Sequence, residues 1–296
     1  MHRVHTLGSS FTNWVYPTWA DYIQKHYDVE LYNLAYGAVG NSIIKKKLYT
    51  IDKSDHVFIM FAGHHRHITG IDESFISPYI KNKEIRERFL ACMKSNIKSW
   101  FRTSDPMSAF VCSVRLFNHK TSKFQDYYQM LEDIYDCQNY LQAKGIDYNF
   151  SMWQGFNNDL SEIRSFEPKT IDDSIYMQNP IYSKVFESID HDKFFQNIKK
   201  GLWEYMLDNK ELVSVQNKVD LHPSTLCHFD FFKTYVKPIL DQKIPNKDNI
   251  DYLYSQAKKF SKYYQAHVKV KEIYSDEMRT KYDGLRKKYF KIFEEL

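Results

Sequence analysis

The chain contains few of the residues that interrupt secondary structure. Its 296 residues include only nine glycines and eight prolines. A β-sandwich requires many tight turns, so this scarcity argues against one. Cysteine is also scarce, and no Cys-x-x-Cys pair occurs among the four: Cys92, Cys112, Cys137 and Cys227. We therefore expect buried free thiols and a reducing compartment.

Long apolar runs and a dominant charge are missing as well. No run approaches the ~20 residues that span a bilayer, and the opening "MHRVHTLGSS" is typical of a strand and not of a signal peptide. The 41 basic and 37 acidic residues give a net charge of +4, too small to indicate nucleic-acid binding. We expect a cytoplasmic protein with no membrane span and no nucleic-acid partner.

Apolar and aromatic residues are abundant, and their pattern indicates the fold class. Hydrophobic residues make up 43% of the chain, with 23 tyrosines and 21 phenylalanines, which suffices for a large core. Strand-like stretches alternate with segments of helical periodicity through residue 153. The predicted strands are 2–7, 29–35, 55–63, 107–117 and 146–153, and the helices between them include 16–27, 83–101 and 123–145.

Five strands separated by helices predict a three-layer α/β/α sandwich with a parallel sheet in the order 2-1-3-4-5. Residues 154–192 lack clear periodicity, and we interpret them as an insertion near the ligand site. Helices are predicted near 193–208 and over 224–241, with a linker at 243–249. We predict one domain over 1–241 and a helical extension over 250–296, which could form a cap or join two copies of the chain.

The first chemical motif is "TLGSSFTNW" at residues 6–14. A glycine allows a tight turn after the first strand, and Ser10 would then lie at the carboxyl end of the sheet, where open α/β folds bind ligands. A serine that only caps the following helix is the alternative. The second motif, "NLAYGAVGNS", brings Gly40 and Asn41 to the end of the second strand, where backbone amides favour negative charge.

Two further motifs follow later strands. "FAGHHRH" contains Gly63, His65 and Arg66 after the third strand, but its histidines lack metal-ligand spacing, so we predict no metal and no cofactor. "VDLHPST" contains Asp220 and His222 before a helix, and a loop histidine beside a carboxylate suits a general base. Together, the four motifs supply the nucleophile, base, orienting group and oxyanion donors of acyl transfer.

These four blocks resemble the SGNH hydrolase superfamily of GDSL-like esterases, over residues 1 to about 241. The stretches "GSSFTNWVYPTWADY", "NLAYGAVGN", "FAGHHR" and "DLHPSTLCHFDFF" are closest to a branch found in phages and bacterial polysaccharide gene clusters. The resemblance implies a flavodoxin-like sheet of five parallel strands and esterase or acyltransferase chemistry.

Position by position, the resemblance implies that Ser10 is the nucleophile, His222 the base and Asp220 its orienting group. Gly40 matches the oxyanion glycine of the second block, with Asn41 beside it. Two positions depart from the family: Ser9 replaces an aspartate, and His65 replaces the asparagine that donates to the oxyanion.

We therefore expect a serine esterase or O-acyltransferase that acts on acyl groups of a glycan or on another small ester. The departures leave a second possibility open, a catalytically silent module that binds a carbohydrate or a protein. A metal-dependent hydrolase built on the histidine cluster is a third.

Overall fold

A parallel sheet of four strands organises the computed structural model. The structure describes residues 1–35, 39–63, 123–155, 158–159, 169–170, 177–209, 222–268 and 278–296. The strands are β1 (His2–Leu7), β2 (Val29–Asn33), β3 (His56–Phe61) and β4 (Tyr148–Met152). They pair in the order β2-β1-β3-β4, and every pairing is parallel. All four carboxyl ends therefore lie at one edge of the sheet.

The sheet is covered by helices on both faces, and the sequence of β3 reflects this. All six residues of β3 are buried. Phe58 and Met60 contribute to one hydrophobic cluster, whereas Val57, Ile59 and Phe61 contribute to another. Because successive side chains of a strand point to opposite faces, a continuous apolar run is what a doubly covered strand requires.

The helices divide between these two clusters. They are α1 (Trp19–His26), α2 (Asn41–Leu48), α3 (Lys123–Lys144), α4 (Pro180–Glu187), α5 (Leu202–Asp208), α6 (Thr225–Phe231), α7 (Lys237–Leu240), α8 (Ile250–His267) and α9 (Met278–Glu295). The cluster on one face takes its residues from α1 and α5 to α9, and the cluster on the other face from α2, α3 and α4. The predicted three-layer α/β architecture is confirmed.

The number and order of the strands differ from the prediction. The stretch 107–117 was expected to lie between β3 and the strand at 146–153, but β3 pairs directly with β4, with Val57 opposite Tyr148 and Phe61 opposite Met152. The described sheet thus has four strands and not five. The stretch itself lies outside the described residues, as does the predicted helix 83–101.

The outer edge of β4 is covered by a segment that was predicted to be helical. Parallel bridges join Phe150 to Phe194 and Met152 to Gly201, so the helix expected near 193–208 begins only at Leu202. A β-carbon on Gly201 would lie 2.5 Å from the carbonyl oxygen of Met152, so only glycine permits this approach. Residues 194–201 are therefore not helical but lie along β4.

The C-terminal helices pack on the same face as α1. Phe260 of α8 and Phe293 of α9 are completely buried in the cluster that contains Trp19 and Tyr22. The predicted linker is itself bonded to the sheet domain, since Lys247 N donates to His26 O at 2.9 Å.

Within the part of the chain that the structure describes, no helix is both long and apolar enough to cross a membrane. The predicted insertion contains two short antiparallel strands before α4, β5 (Asn158–Asp159) and β6 (Lys169–Thr170). All its other residues between 156 and 176 lie outside the described ranges.

Candidate active site

The turn that follows β1 presents Ser10. Gly8 allows it, because a β-carbon there would lie 2.2 Å from Thr12 Oγ1 and 3.1 Å from the carbonyl oxygen of Met60. The turn then closes through the amides of Thr12 and Asn13, which both donate to Ser9 O, at 2.9 and 3.2 Å. Ser10 is 5% exposed, so the residue is almost completely buried in the turn.

Hydrogen bonds to the second strand and its end, and to the start of α1, fix this turn. Asn13 Nδ2 donates to Ala35 O at 2.9 Å, and Asn33 Nδ2 donates to Thr12 O at 3.1 Å. Thr18 Oγ1, at the start of α1, donates to the same Thr12 carbonyl at 2.7 Å. Three hydrogen bonds between the serine turn and two other elements therefore hold the turn in place.

His222 lies directly against Ser10. Its Nε2 is 2.8 Å from Ser10 Oγ, a hydrogen bond between residues 212 positions apart in the chain. In the tautomer that carries its proton on Nδ1, Nε2 accepts the hydroxyl hydrogen of the serine. The predicted orienting residue, Asp220, lies outside the described residues.

Aromatic rings surround the imidazole. The indole of Trp14 stacks on His222 with ring centroids 3.9 Å apart and planes 18° apart. Phe11 contacts the imidazole at 5.2 Å, and the same phenyl ring packs on Trp153 at the end of β4. These contacts leave the histidine half-buried and define the plane of its ring.

Hydrogen bonds also hold the backbone that follows His222. Tyr16 is fully buried, and its hydroxyl donates to the carbonyl of Pro223 at 3.0 Å. Ser224 Oγ then accepts from Cys227 N at 3.1 Å and caps α6. Hydrogen bonds therefore fix both residues that follow His222 in its loop, Pro223 and Ser224.

At the second strand end, Gly40 is the N-cap of α2 and Asn41 its first residue. The Asn41 side chain is fully buried, and both of its polar groups bond the backbone of Ala62: Nδ2 donates to the carbonyl at 3.0 Å, and Oδ1 accepts from the amide at 2.7 Å. This pair joins the start of α2 to the end of β3, immediately before the buried Gly63. Asn41 has a structural function here, whatever else it contributes.

The block after β3 is described only as far as Gly63. His65 and Arg66 lie outside the described residues, as do the other histidines of the same block. Among the residues that are described, no group of three or more His, Cys, Asp or Glu side chains could hold a metal ion.

The two described cysteines are poor candidates for a nucleophile. Cys137 and Cys227 are free and completely buried. Burial raises the pKa of each thiol well above its ordinary value, so neither forms the thiolate that reacts. The serine is therefore the better candidate within the described site.

The aromatic residues that contact His222 and its loop were not predicted from the sequence. Trp14 and Tyr16 were visible in "TNWVYP", but aromatic residues are so frequent in this chain that nothing marked these two. Away from this pair, Glu204 is a buried carboxylate that accepts from Gly155 N at 2.7 Å and Gly201 N at 2.8 Å, and it was not predicted either. A signal for Glu204 was present in the order Gly-x-x-Glu, which suits the start of a helix.

Comparison with known proteins gives structural similarities only. No protein-family model matches the chain, and no curated protein sequence matches it. Its structure is similar to that of TesA, at 10% identity and a TM-score of 0.41, over 81% of this chain and 99% of TesA. It is also similar to a lipolytic G-D-S-L family protein from Veillonella parvula, at 9% identity and a TM-score of 0.36, over 80% of this chain and 100% of that one. A third similar structure is a mutant of Axe2, an acetyl-xylooligosaccharide esterase from Geobacillus, at 11% identity and a TM-score of 0.39, over 80% of this chain and 94% of that one.

Proposed function

We propose that the protein is a serine esterase that removes acyl groups, acetyl above all, from a glycan. The observation that carries the proposal is the 2.8 Å hydrogen bond between Ser10 Oγ and His222 Nε2 in a turn at the carboxyl edge of the sheet. A serine alcohol is a weak nucleophile unless a base within hydrogen-bond reach takes its proton. The glycan as substrate rests on the resemblance of the four sequence blocks alone.

The reaction begins when Ser10 Oγ attacks the acyl carbon of the ester while His222 Nε2 takes the hydroxyl proton. The tetrahedral intermediate collapses, the sugar oxygen leaves with the proton from His222, and an acyl-serine remains. Water then attacks the acyl-serine while His222 Nε2 takes a proton from it. The second tetrahedral intermediate collapses, its bond to Ser10 Oγ breaks, His222 returns the proton to that oxygen, and the carboxylic acid is released. An O-acyltransferase differs in the last step, because a second hydroxyl replaces water. Asp220 is proposed to orient the imidazole.

The oxyanion requires hydrogen-bond donors at the same edge. We propose the backbone amide of Gly40, at the start of α2, where helix amides favour negative charge. Gly63 follows β3 at the same edge, and His65 and Arg66 follow it in the sequence. We propose His65 as the donor that replaces the asparagine of the family and Arg66 as a substrate-binding residue. Asn41 contributes by holding the α2 terminus against Ala62.

The decisive experiment is labelling with a fluorophosphonate probe followed by intact-mass and peptide analysis. We expect one adduct, on Ser10, and none in Ser10→Ala. Ser10→Ala should also abolish hydrolysis of aryl acetates with little change in thermal stability, since it removes one hydroxyl. Ser224→Ala is the matched control: it removes a serine hydroxyl two residues from His222, costs about 1 kcal/mol of stability through the lost helix cap and keeps the adduct. No adduct on the unmutated protein would favour the silent binding module.

The oxyanion assignment of His65 has its own test. Removal of one oxyanion donor typically lowers turnover ~10²–10³-fold. His65→Ala should therefore lower kcat far more than it changes KM, and His65→Asn should restore part of the loss, because the amide also donates. Steady-state kinetics on one aryl ester decide it. Wild-type turnover in both variants would leave the backbone amides of Gly40 and Ser10 as the oxyanion donors.

A further inference from the structure

We propose that Trp14 is the positioning residue for His222 and that the C-terminal helix α9 holds Trp14 through Arg286. The inference rests on the proposed function, because it assigns residues that support the same Ser10–His222 pair. It also gives the C-terminal helices a part in the site, a part that no motif in their own sequence indicates.

The first step is the contact between the two rings. The Trp14 indole lies 3.9 Å from the imidazole of His222 at an angle of 18°. Phe11 contacts the same imidazole at 5.2 Å and 42°. A hydrogen bond to Ser10 Oγ fixes one point of the imidazole, and the stacked indole fixes the plane of its ring. Together they direct Nε2 at the serine.

The stacking also favours the charge that appears during the reaction. When His222 takes the proton of Ser10, the imidazole becomes a cation, and the face of an indole attracts a cation. The attraction is stronger after proton transfer than before it, so it stabilises the transition state more than the ground state. Trp14 therefore affects turnover more than substrate binding.

The second step is the support of Trp14 itself. Arg286 Nη1 donates to the backbone carbonyl of Trp14, and Nη2 forms an ion pair with Asp21 Oδ1 at 2.6 Å. The other oxygen of Asp21 accepts from Thr18 N at 2.8 Å, at the start of α1. One guanidinium thus joins the Trp14 turn to the α1 terminus, a geometry that suits arginine and that a lysine ammonium reproduces poorly.

The third step is the anchoring of α9. Tyr289 and Phe293 are fully buried in the cluster shared with α1, and the guanidinium of Arg286 lies 4.2 Å over the ring of Phe290. The position of Arg286 is therefore fixed by its own helix. A second ion pair joins the same two helices away from the site, since Lys25 Nζ lies 3.1 Å from Glu294 Oε1. It offers a matched control.

The experiment compares Trp14→Phe, Trp14→Leu, Arg286→Lys and Arg286→Leu with the control Glu294→Gln in the full chain. We expect Trp14→Leu to lower kcat about 3–30-fold, the range of a cation–π contact, with little change in KM, and Trp14→Phe to restore part of the loss. Arg286→Leu should lower kcat in the same way, Arg286→Lys less, and Glu294→Gln not at all. The double variant Trp14→Leu/Arg286→Leu should lose less than the product of the single losses, because both act through one contact.

A second readout does not depend on turnover. The ring current of a stacked indole moves the imidazole protons of His222 upfield in the proton NMR spectrum. We expect this displacement to disappear in Trp14→Leu, to decrease in Arg286→Leu and to persist in Glu294→Gln. An unchanged His222 signal in the Arg286 variants, or kinetics equal to those of Glu294→Gln, would overturn the inference. Failure of the unmutated protein to hydrolyse esters or to label at Ser10 is a different result, which overturns the proposed function itself.

Discussion

Asn41 is the residue whose hydrogen bonds contribute most clearly to the shape of the site. Its replacement by alanine leaves the amide and the carbonyl of Ala62 buried without their partner, at a cost of about 1–3 kcal/mol for each group. We expect Asn41→Ala to lower the free energy of unfolding by roughly 2–4 kcal/mol in urea titrations. Asn139→Ala, on the exposed face of α3, is the control and should change it by less than about 0.5 kcal/mol. A loss of turnover with unchanged stability would contradict the structural function of Asn41.

The sequence could nominate residues for the candidate site because each lies beside a recognisable element, a strand end or a helix start. Gly8 and Ser10 follow an apolar run, and His222 precedes a capped helix, so local sequence was sufficient to nominate them. The rings that pack on His222 could not be predicted this way, because stacking depends on three-dimensional proximity. Asn41 shows a related limit: the sequence marked the backbone of its turn, but nothing in it indicated that both polar atoms of the side chain bond the Ala62 backbone.

At the scale of elements, the amino ends of β3 and β4 share a buried histidine. His56 is 2% exposed; its Nε2 donates to Asn149 Oδ1 at 3.1 Å, and its Nδ1 accepts from Lys243 Nζ at 3.4 Å. Burial and the charge of Lys243 lower the pKa of His56 from 6.5 to about 3, against a weaker opposing effect of Asp147. Both ring contacts fit the neutral imidazole.

This arrangement makes stability depend on pH. The folded protein keeps His56 neutral, whereas the unfolded chain protonates it below pH 6.5. The contribution of the neutral His56 to the free energy of unfolding is therefore complete above pH 6.5 and is lost as the pH falls toward 3. Within that pH range, we expect His56 to lower the free energy of unfolding by about 1.4 kcal/mol for each unit by which the pH falls. His56→Gln should remove this slope, whereas His267→Gln, at the exposed end of α8, should retain it. Equal slopes for wild type and His56→Gln in urea titrations would contradict the expectation.

Element boundaries were predicted best where a single residue determines them. Helix α3 ends as expected at Gly145, whose positive φ of 63° permits the backbone turn that closes through Ile146 N and Leu141 O at 3.0 Å. The segment 194–201 was predicted wrongly, because its alignment with β4 depends on partners such as Phe150 and not on its own periodicity. Local preference decides a helix end, whereas tertiary pairing decides a sheet edge.

For the whole molecule, the central question is whether the C-terminal helices unfold with the sheet. Phe260 is fully buried. It contacts Phe293 of α9 and also Tyr16, the residue that bonds the carbonyl of Pro223 beside the candidate site. We expect Phe260→Ala to cost about 3–5 kcal/mol and to lower one cooperative transition, seen at the same denaturant concentration by tryptophan fluorescence and by far-ultraviolet circular dichroism. The exposed Tyr252→Ala on the same helix should have little effect. Two separate transitions would instead support an independent helical extension.

The Ser10–His222 hydrogen bond joins residues 212 positions apart, and the Arg286–Trp14 hydrogen bond joins residues 272 positions apart. During translation the serine therefore leaves the ribosome long before the residues that complete its surroundings. At about 5–20 residues per second, the interval is on the order of tens of seconds. Contacts of such large sequence separation also form late in folding. Under the proposed function, the nascent polypeptide therefore carries Ser10 without its base until synthesis has passed His222.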